Sequence, residues 1–268
     1  MKIANTCREL RDSLIVAFSM YSKIPMPRTD WTDHSMKYSM CFFPWIGWVI
    51  GILEALWLYL SSLAGLSALF RAAVFTVLPV LVTGGIHLDG YLDTSDAMSS
   101  WREREKRLEI LKDSHTGAFA IINAGIWFIL FLGSAAQLAA RLSGTGEAPS
   151  FRVLLLLPVL FGTSRSFSAI SVVSFPHANP SGTAAAFGDR AVKKTVLAVM
   201  AVYLAVMAVL CGLCQPAAGL CMMGSALLIF GLYYRLSMKY FGGMTGDLAG
   251  CFVSVCELVM LILLAVVP

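Results

Sequence analysis

The run Gly84-Gly85-Ile86-His87-Leu88-Asp89-Gly90-Tyr91-Leu92-Asp93-Thr94-Ser95-Asp96 sets three carboxylates at spacings of four and three, directly after a hydrophobic stretch long enough to cross a membrane. On a helix, Asp89, Asp93 and Asp96 share one face within about a turn and a half. Like charges that close repel, and a divalent cation relieves the repulsion. An all-oxygen set suits Mg²⁺ or Mn²⁺, which keep several waters and take substrate phosphates as further ligands. The chemistry this predicts is phosphoryl-group transfer at a membrane surface. The competing use of the three acids is to cap the helix that follows, although one cap needs one carboxylate. His87 reads as a general base, as a residue orienting an aspartate, or as a packed histidine at the membrane interface.

Other polar segments could complete such a site. Asp113-Ser114-His115-Thr116-Gly117 closes the same loop; Asp113 either adds a fourth metal ligand or, with Ser114, caps the next helix. Phe241-Gly242-Gly243-Met244-Thr245-Gly246-Asp247 can present amides to a phosphate while Asp247 binds metal or a ribose hydroxyl, or can be only a turn. Arg165, inside the polar patch Gly162-Thr163-Ser164-Arg165-Ser166, is suited to clamping a diphosphate; a salt bridge to Glu54 or Glu257 is the alternative. By contrast Glu103, Glu105 and Glu109 alternate with Arg102, Arg104, Lys106 and Arg107, the pattern of a solvated helix.

The elements that position these residues are membrane helices. Hydrophobic residues make up 58% of the 268, and charged residues 13%, against roughly a quarter charged in a soluble domain. Apolar runs near 44–62, 66–86, 117–140, 151–174, 195–214, 216–236 and 248–267 predict an all-α polytopic bundle of about seven transmembrane helices, in one domain over 1–268. Pro79 and Pro158 predict kinks. Leu10, Leu14, Phe18 and Tyr21 recur at helical spacing, predicting an N-terminal interfacial amphipathic helix rather than a cleaved signal peptide. Lys and Arg residues gather in alternate loops; only Arg71, Arg141, Arg152 and Arg165 fall elsewhere. The positive-inside rule then places the N-terminus and the polar loops on the cytoplasmic side of the plasma membrane. The seven cysteines, mostly within apolar runs, imply no disulfide framework.

With Ile24-Pro25-Met26-Pro27-Arg28, Phe43-Pro44-Trp45-Ile46-Gly47, Gly84 to Asp96, Asp113-Ser114 with Gly117, Ser164-Arg165 and Gly242 to Asp247 in this order, the chain resembles the cobalamin synthase, or adenosylcobinamide-GDP ribazoletransferase, family. The resemblance implies a membrane enzyme of late cobalamin biosynthesis. It would join adenosylcobinamide-GDP to α-ribazole or α-ribazole 5′-phosphate and release GMP, by Mg²⁺-assisted attack of the ribazole 5′-hydroxyl. In that reading Asp89, Asp93, Asp96 and Asp113 hold Mg²⁺, Asp89 or His87 takes the hydroxyl proton, and Arg165 neutralises the diphosphate. Ser114, His115, Gly243, Thr245 and Asp247 touch substrate. The family often has Arg where His115 stands, and Gly where Ala97 stands. The partners expected are these substrates and the lipid bilayer, with no nucleic acid; a homo-oligomer is allowed but not required.

Two rivals fit parts of the pattern. A CDP-alcohol phosphotransferase-like enzyme also spaces aspartates around Mg²⁺, in a longer fixed array than Gly85 to Asp96 supplies. A transporter would use Glu54, Arg165 and Glu257 as an intramembrane relay, which leaves the triple-aspartate and glycine-rich loops without a role.

Overall fold

The computed structural model describes residues 2–143 and 150–268, and within them the architecture is an all-α bundle. Helix α1 spans Lys2–Tyr21 and α2 Asp33–Met36. They are followed by α3 Ser39–Leu63, α4 Ala68–Thr83, α5 Ile86–Ser99, α6 Arg104–Ile110, α7 Ala118–Ser143 and α8 Phe151–Ser174. Helices α9 Thr183–Arg190, α10 Lys193–Cys214 and α11 Pro216–Leu236 come next, then a π-helical turn Ser237–Phe241 and α12 Gly246–Val266. Among the described residues six helices are long and apolar enough to cross a membrane: α3, α7, α8, α10, α11 with its π turn, and α12.

The remaining expected span differs from the sequence reading. Helix α4 stops after 16 residues, about 24 Å at 1.5 Å per residue, short of the roughly 30 Å hydrocarbon core. The cause is local. Gly84 and Gly85 both take positive φ, 68° and 79°, a backbone state that ends helices and that side chains with a Cβ resist. The chain restarts as α5 at 94° to α4. Helices α4 and α5 therefore make one bent pair, with the acidic motif on its second limb.

Helix α8 is the central post, buried along nearly its whole length. Helix α3 reaches it through two glycines. A Cβ on Gly47 would lie 2.3 Å from the Phe161 carbonyl oxygen, and one on Gly51 2.3 Å from the Pro158 Cα. Small residues allow this backbone approach, the usual basis of helix association in lipid. At the far end Arg71 ties three helices, donating to the Leu58 carbonyl (2.9 Å), Ser61 Oγ (3.2 Å) and the Ala139 carbonyl (3.2 Å).

Helix α1 forms as predicted, but its expected apolar face is only partly buried: Phe18 is buried, Leu14 and Tyr21 are half-buried and Leu10 is exposed, while Ile15, Val16 and Ala17 are buried as well, so the second half of the helix is embedded on more than one side. A Lys37–Glu9 ion pair at 2.7 Å holds it against the start of the bundle. Its exit is pinned where the Lys23 amide donates to the Val82 carbonyl at 2.7 Å, so the α1–α2 connection meets the α4–α5 bend.

Candidate functional site

Three connections converge at one end of the bundle. Between α11 and α12, the Met244 amide donates to the Pro176 carbonyl (2.8 Å), and the Ala178 amide donates to the Met244 carbonyl (2.9 Å). This parallel bridge welds the glycine loop to the segment after α8. A Cβ on Gly243 would meet the Ala178 nitrogen at 2.4 Å, so the contact requires glycine. Thr245 then caps α12, its Oγ1 accepting from the Leu248 amide at 3.2 Å, and Asp247 follows in the first turn.

Helix α5 lies directly on that turn. A Cβ on Gly90 would stand 2.5 Å from the Asp247 carbonyl oxygen and 2.8 Å from its Cα. This bare spot on α5 lets its acids approach α12, and Asp93 lies within the electrostatic reach of Asp89, Asp247 and Asp96. Asp247 in turn feels Asp89. The sequence reading placed Asp247 on a separate loop as a nucleotide or metal contact; the fold brings it into the same carboxylate field as the α5 motif.

Asp96 has a different task. Its Oδ2 accepts from the Gly117 amide (2.6 Å) and its Oδ1 from the Ala120 amide (2.8 Å), so it caps α7 from a neighbouring helix. Gly117 has no Cβ to collide with that carboxylate. Asp113 is taken up locally, accepting from the His115 amide (3.0 Å) and meeting its ring Nδ1 (2.7 Å). Those bonds hold the Asp113 carboxyl below its usual range. Asp113 and His115 are exposed, as is Ser114, and Asp113 is not among the charges felt by Asp93. Among the described residues no three His, Cys, Asp or Glu side chains converge as a closed metal cluster.

Two hollows meet at Asp89. The more enclosed of the two, a partly open cavity of about 350 Å³, is lined by His87, Asp89, Lys112, Thr245 and Asp247, and by Asn179 with Gly182 to Ala185. A more open cleft of about 530 Å³ is lined by Ser19, Ser22, Lys23, Thr83, the two bend glycines and Asp89. Asp89 is thus the acid common to both. His87 is buried in the first hollow, stacked on Tyr21 (ring centroids 6.2 Å) and edge-on to Phe43 (5.6 Å), and its Nε2 has no hydrogen-bond partner.

Arg165 does not line either hollow. It is 1% exposed and paired with Glu257, whose Oε1 also accepts from Ser164 Oγ at 2.8 Å. The salt-bridge alternative describes its position: one turn below Ser168, which does line the enclosed cavity. Glu54 is also buried, with neither oxygen bonded, so Glu54, Arg165 and Glu257 do not form a hydrogen-bonded chain.

Sequence reading missed two parts of the cavity wall. Lys112 enters the sequence reading only as one of the loop cations that set orientation. The stretch Asn179 to Ala185 was passed over, although Asn-Pro-Ser-Gly-Thr carries the marks of a turn opening a helix.

A bundle of apolar helices, carrying at one end carboxylates and a cavity lined by one lysine among the described residues, defines a multi-pass membrane protein with a polar site at that end. The family model described as cobalamin-5-phosphate synthase matches residues 13–265, and the chain belongs to that family. It is a membrane transferase of cobalamin biosynthesis. An adenosylcobinamide-GDP ribazoletransferase of Lachnoclostridium phytofermentans is 42% identical over 247 residues, covering 92% of this chain and 90% of the relative. One of Desulfitobacterium hafniense is 32% identical over 252 residues (93% and 94%), and one of Clostridium perfringens strain SM101 is 29% identical over 252 residues (94% and 96%). No solved structure matches.

The Gly90 contact gives a direct test of the assembly. Gly90→Val drives two methyl groups into the Asp247 backbone; we expect a loss of about 1–3 kcal/mol in stability and about a hundredfold in turnover from misplaced acids. Denaturant unfolding and steady-state rates measure both, and wild-type turnover in this variant would show that the α5–α12 contact does not build the site.

Proposed function

We propose that the chain joins adenosylcobinamide-GDP to α-ribazole or α-ribazole 5′-phosphate and releases GMP, with the carboxylate end of the bundle on the cytoplasmic side of the plasma membrane. The observation that carries this reading is the position of Asp89 between two hollows. A two-substrate transfer needs one carboxylate within reach of both ligands. The names of the relatives supply the nucleotide-linked corrinoid as one substrate. The alcohol is assigned to the open cleft and the nucleotide end to the enclosed cavity.

In the transfer, a ribose hydroxyl oxygen attacks the phosphorus attached to cobinamide. The bond from that phosphorus to the bridging oxygen breaks, GMP leaves with the electron pair, and the hydroxyl proton passes to Asp89. The attacking oxygen is not the 5′ one. In the 5′-phosphate that oxygen is already esterified, and the family's description names a product that keeps a 5-phosphate. A different ribose hydroxyl serves both forms of the substrate.

The residues fit Mg²⁺. Asp247 and Asp89 line the same cavity, Asp93 lies behind them in their negative field, and two carboxylates completed by water and phosphate are a common Mg²⁺ set. When bound there it would neutralise phosphoryl oxygens as charge builds on them. Asp96 and Asp113 are assigned instead to capping α7 and to the His115 pair, and Arg165 to positioning the helix turn beneath Ser168. His87 offers its unpaired Nε2 to a polar atom of the substrate.

Purified protein in lipid nanodiscs, given adenosylcobinamide-GDP, α-ribazole and Mg²⁺, is expected to yield GMP and a complete corrinoid in equal amounts. Folded protein that forms neither, with either form of ribazole, sinks the reading.

A further inference from the structure

The start of α9 gives the enclosed cavity a wall opposite in character to its carboxylates. Asn179 to Gly182 forms a tight turn: the Gly182 amide donates to the Asn179 carbonyl (3.1 Å), and the Ser181 Oγ donates to Asn179 Oδ1 (2.9 Å). Gly182 occupies the N-cap position and supplies no side-chain cap. The first intrahelical bond of α9 runs from the Ala186 amide to the Gly182 carbonyl at 3.0 Å. The amides of Thr183, Ala184 and Ala185 therefore precede any intrahelical acceptor, and all three residues line the cavity.

Lys112 is the one Lys or Arg among the described residues lining that cavity. No acid pairs with it among the described ion pairs, whereas the nearby His115 is closed by Asp113. A third, independent feature points to a ligand in the same space. His87 is more than nine-tenths buried, lines the cavity, and has a ring nitrogen with no partner. A buried polar atom of this kind is costly unless something fills its valence.

We propose that the N-terminal amides of α9 and the Lys112 ammonium form the seat for the diphosphate of a nucleoside-diphosphate-linked ligand, facing the Asp89 and Asp247 edge across the cavity. This rests on the proposed transferase reading and divides its site into an anion side and a carboxylate side. Helix N-termini bind phosphate through exposed amides and the local positive potential, and an ammonium adds a charge-assisted bond. A diphosphate beside Asp247 needs that opposing charge.

The test is calorimetric titration of GDP into the full-length protein in nanodiscs at fixed Mg²⁺. Lys112→Met is expected to weaken GDP about tenfold, and Lys112→Arg to restore it to within about threefold. Thr183→Pro removes one amide at the first helical position, where proline is at home after the extended Gly182. It should weaken GDP about fivefold with an unchanged thermal midpoint. Lys106→Met, on the exposed side of α6, should bind as wild type. Wild-type GDP affinity in Lys112→Met and in a folded Thr183→Pro overturns the seat; if Thr183→Pro does not fold, the Lys112 pair decides alone. Turnover in the same preparations separates the two claims. Active wild type with both variants unaffected removes the seat and keeps the transferase. Inert wild type whose GDP binding still depends on Lys112 and Thr183 removes the transferase and keeps the seat.

Discussion

Asp89→Asn is expected to lose about a thousandfold in turnover, the range removed with a general base, while the protein stays inserted and folded. The reason for the split is that the Asp89 side chain is exposed and makes no hydrogen bond or ion pair among the described residues. It faces both hollows, so its removal touches chemistry and little else. Glu105→Gln supplies the contrast: exposed on α6, among alternating charges, it should leave turnover within twofold or so. Rates at saturating substrate, with size-exclusion profiles of both variants, decide the matter. Equal activity in the two would refute the role given to Asp89.

The second large effect is on stability. Glu257→Ala leaves the Arg165 guanidinium, 1% exposed, without its counter-charge, and removing one member of a buried ion pair costs about 3–5 kcal/mol. Replacing both residues with Met should recover most of that loss, because an apolar pair of similar volume stands in for a buried ion pair at little net cost. The double variant should also keep most of its turnover, since Arg165 lines neither hollow. A double variant that folds well yet forms no product would return Arg165 to the diphosphate-clamping role implied by the family resemblance. Denaturant titration in detergent, followed by the product assay, reads both outcomes.

What the sequence made legible was set by range. Each apolar run announces its own helix, and the four-and-three spacing of Asp89, Asp93 and Asp96 announces a shared face. The bend after α4 was hidden: the adjacent positive φ values of Gly84 and Gly85 fix a 94° turn that hydropathy does not register. Long-range partners were hidden. Nothing near Asp96 shows that its oxygens belong to amides 21 and 24 residues away. Nor does anything near Arg165 choose Glu257, 92 residues on, over Glu54. Gly90 stands in the sequence as one member of the acidic run; only the fold shows it as the place where Asp247 comes within reach. Lys112 was camouflaged by the charges around it, and the α9 entrance by the absence of any side chain in it that performs chemistry.

The central position of α8 bears on how the protein is made. Its run from Thr163 to Ser168 holds four hydroxyls and an arginine, a composition that enters lipid poorly alone, an arginine at mid-helix costing about 2.5–3.5 kcal/mol on insertion scales. In the finished protein that run is buried against other helices. Burial of this run depends on partners from both sides in sequence: α3, which precedes α8, makes room for it at Gly47 and Gly51, and α12, which follows α8, supplies the carboxylate that neutralises the arginine. Without α12 in place, Arg165 lacks the Glu257 counter-charge it has in the folded protein.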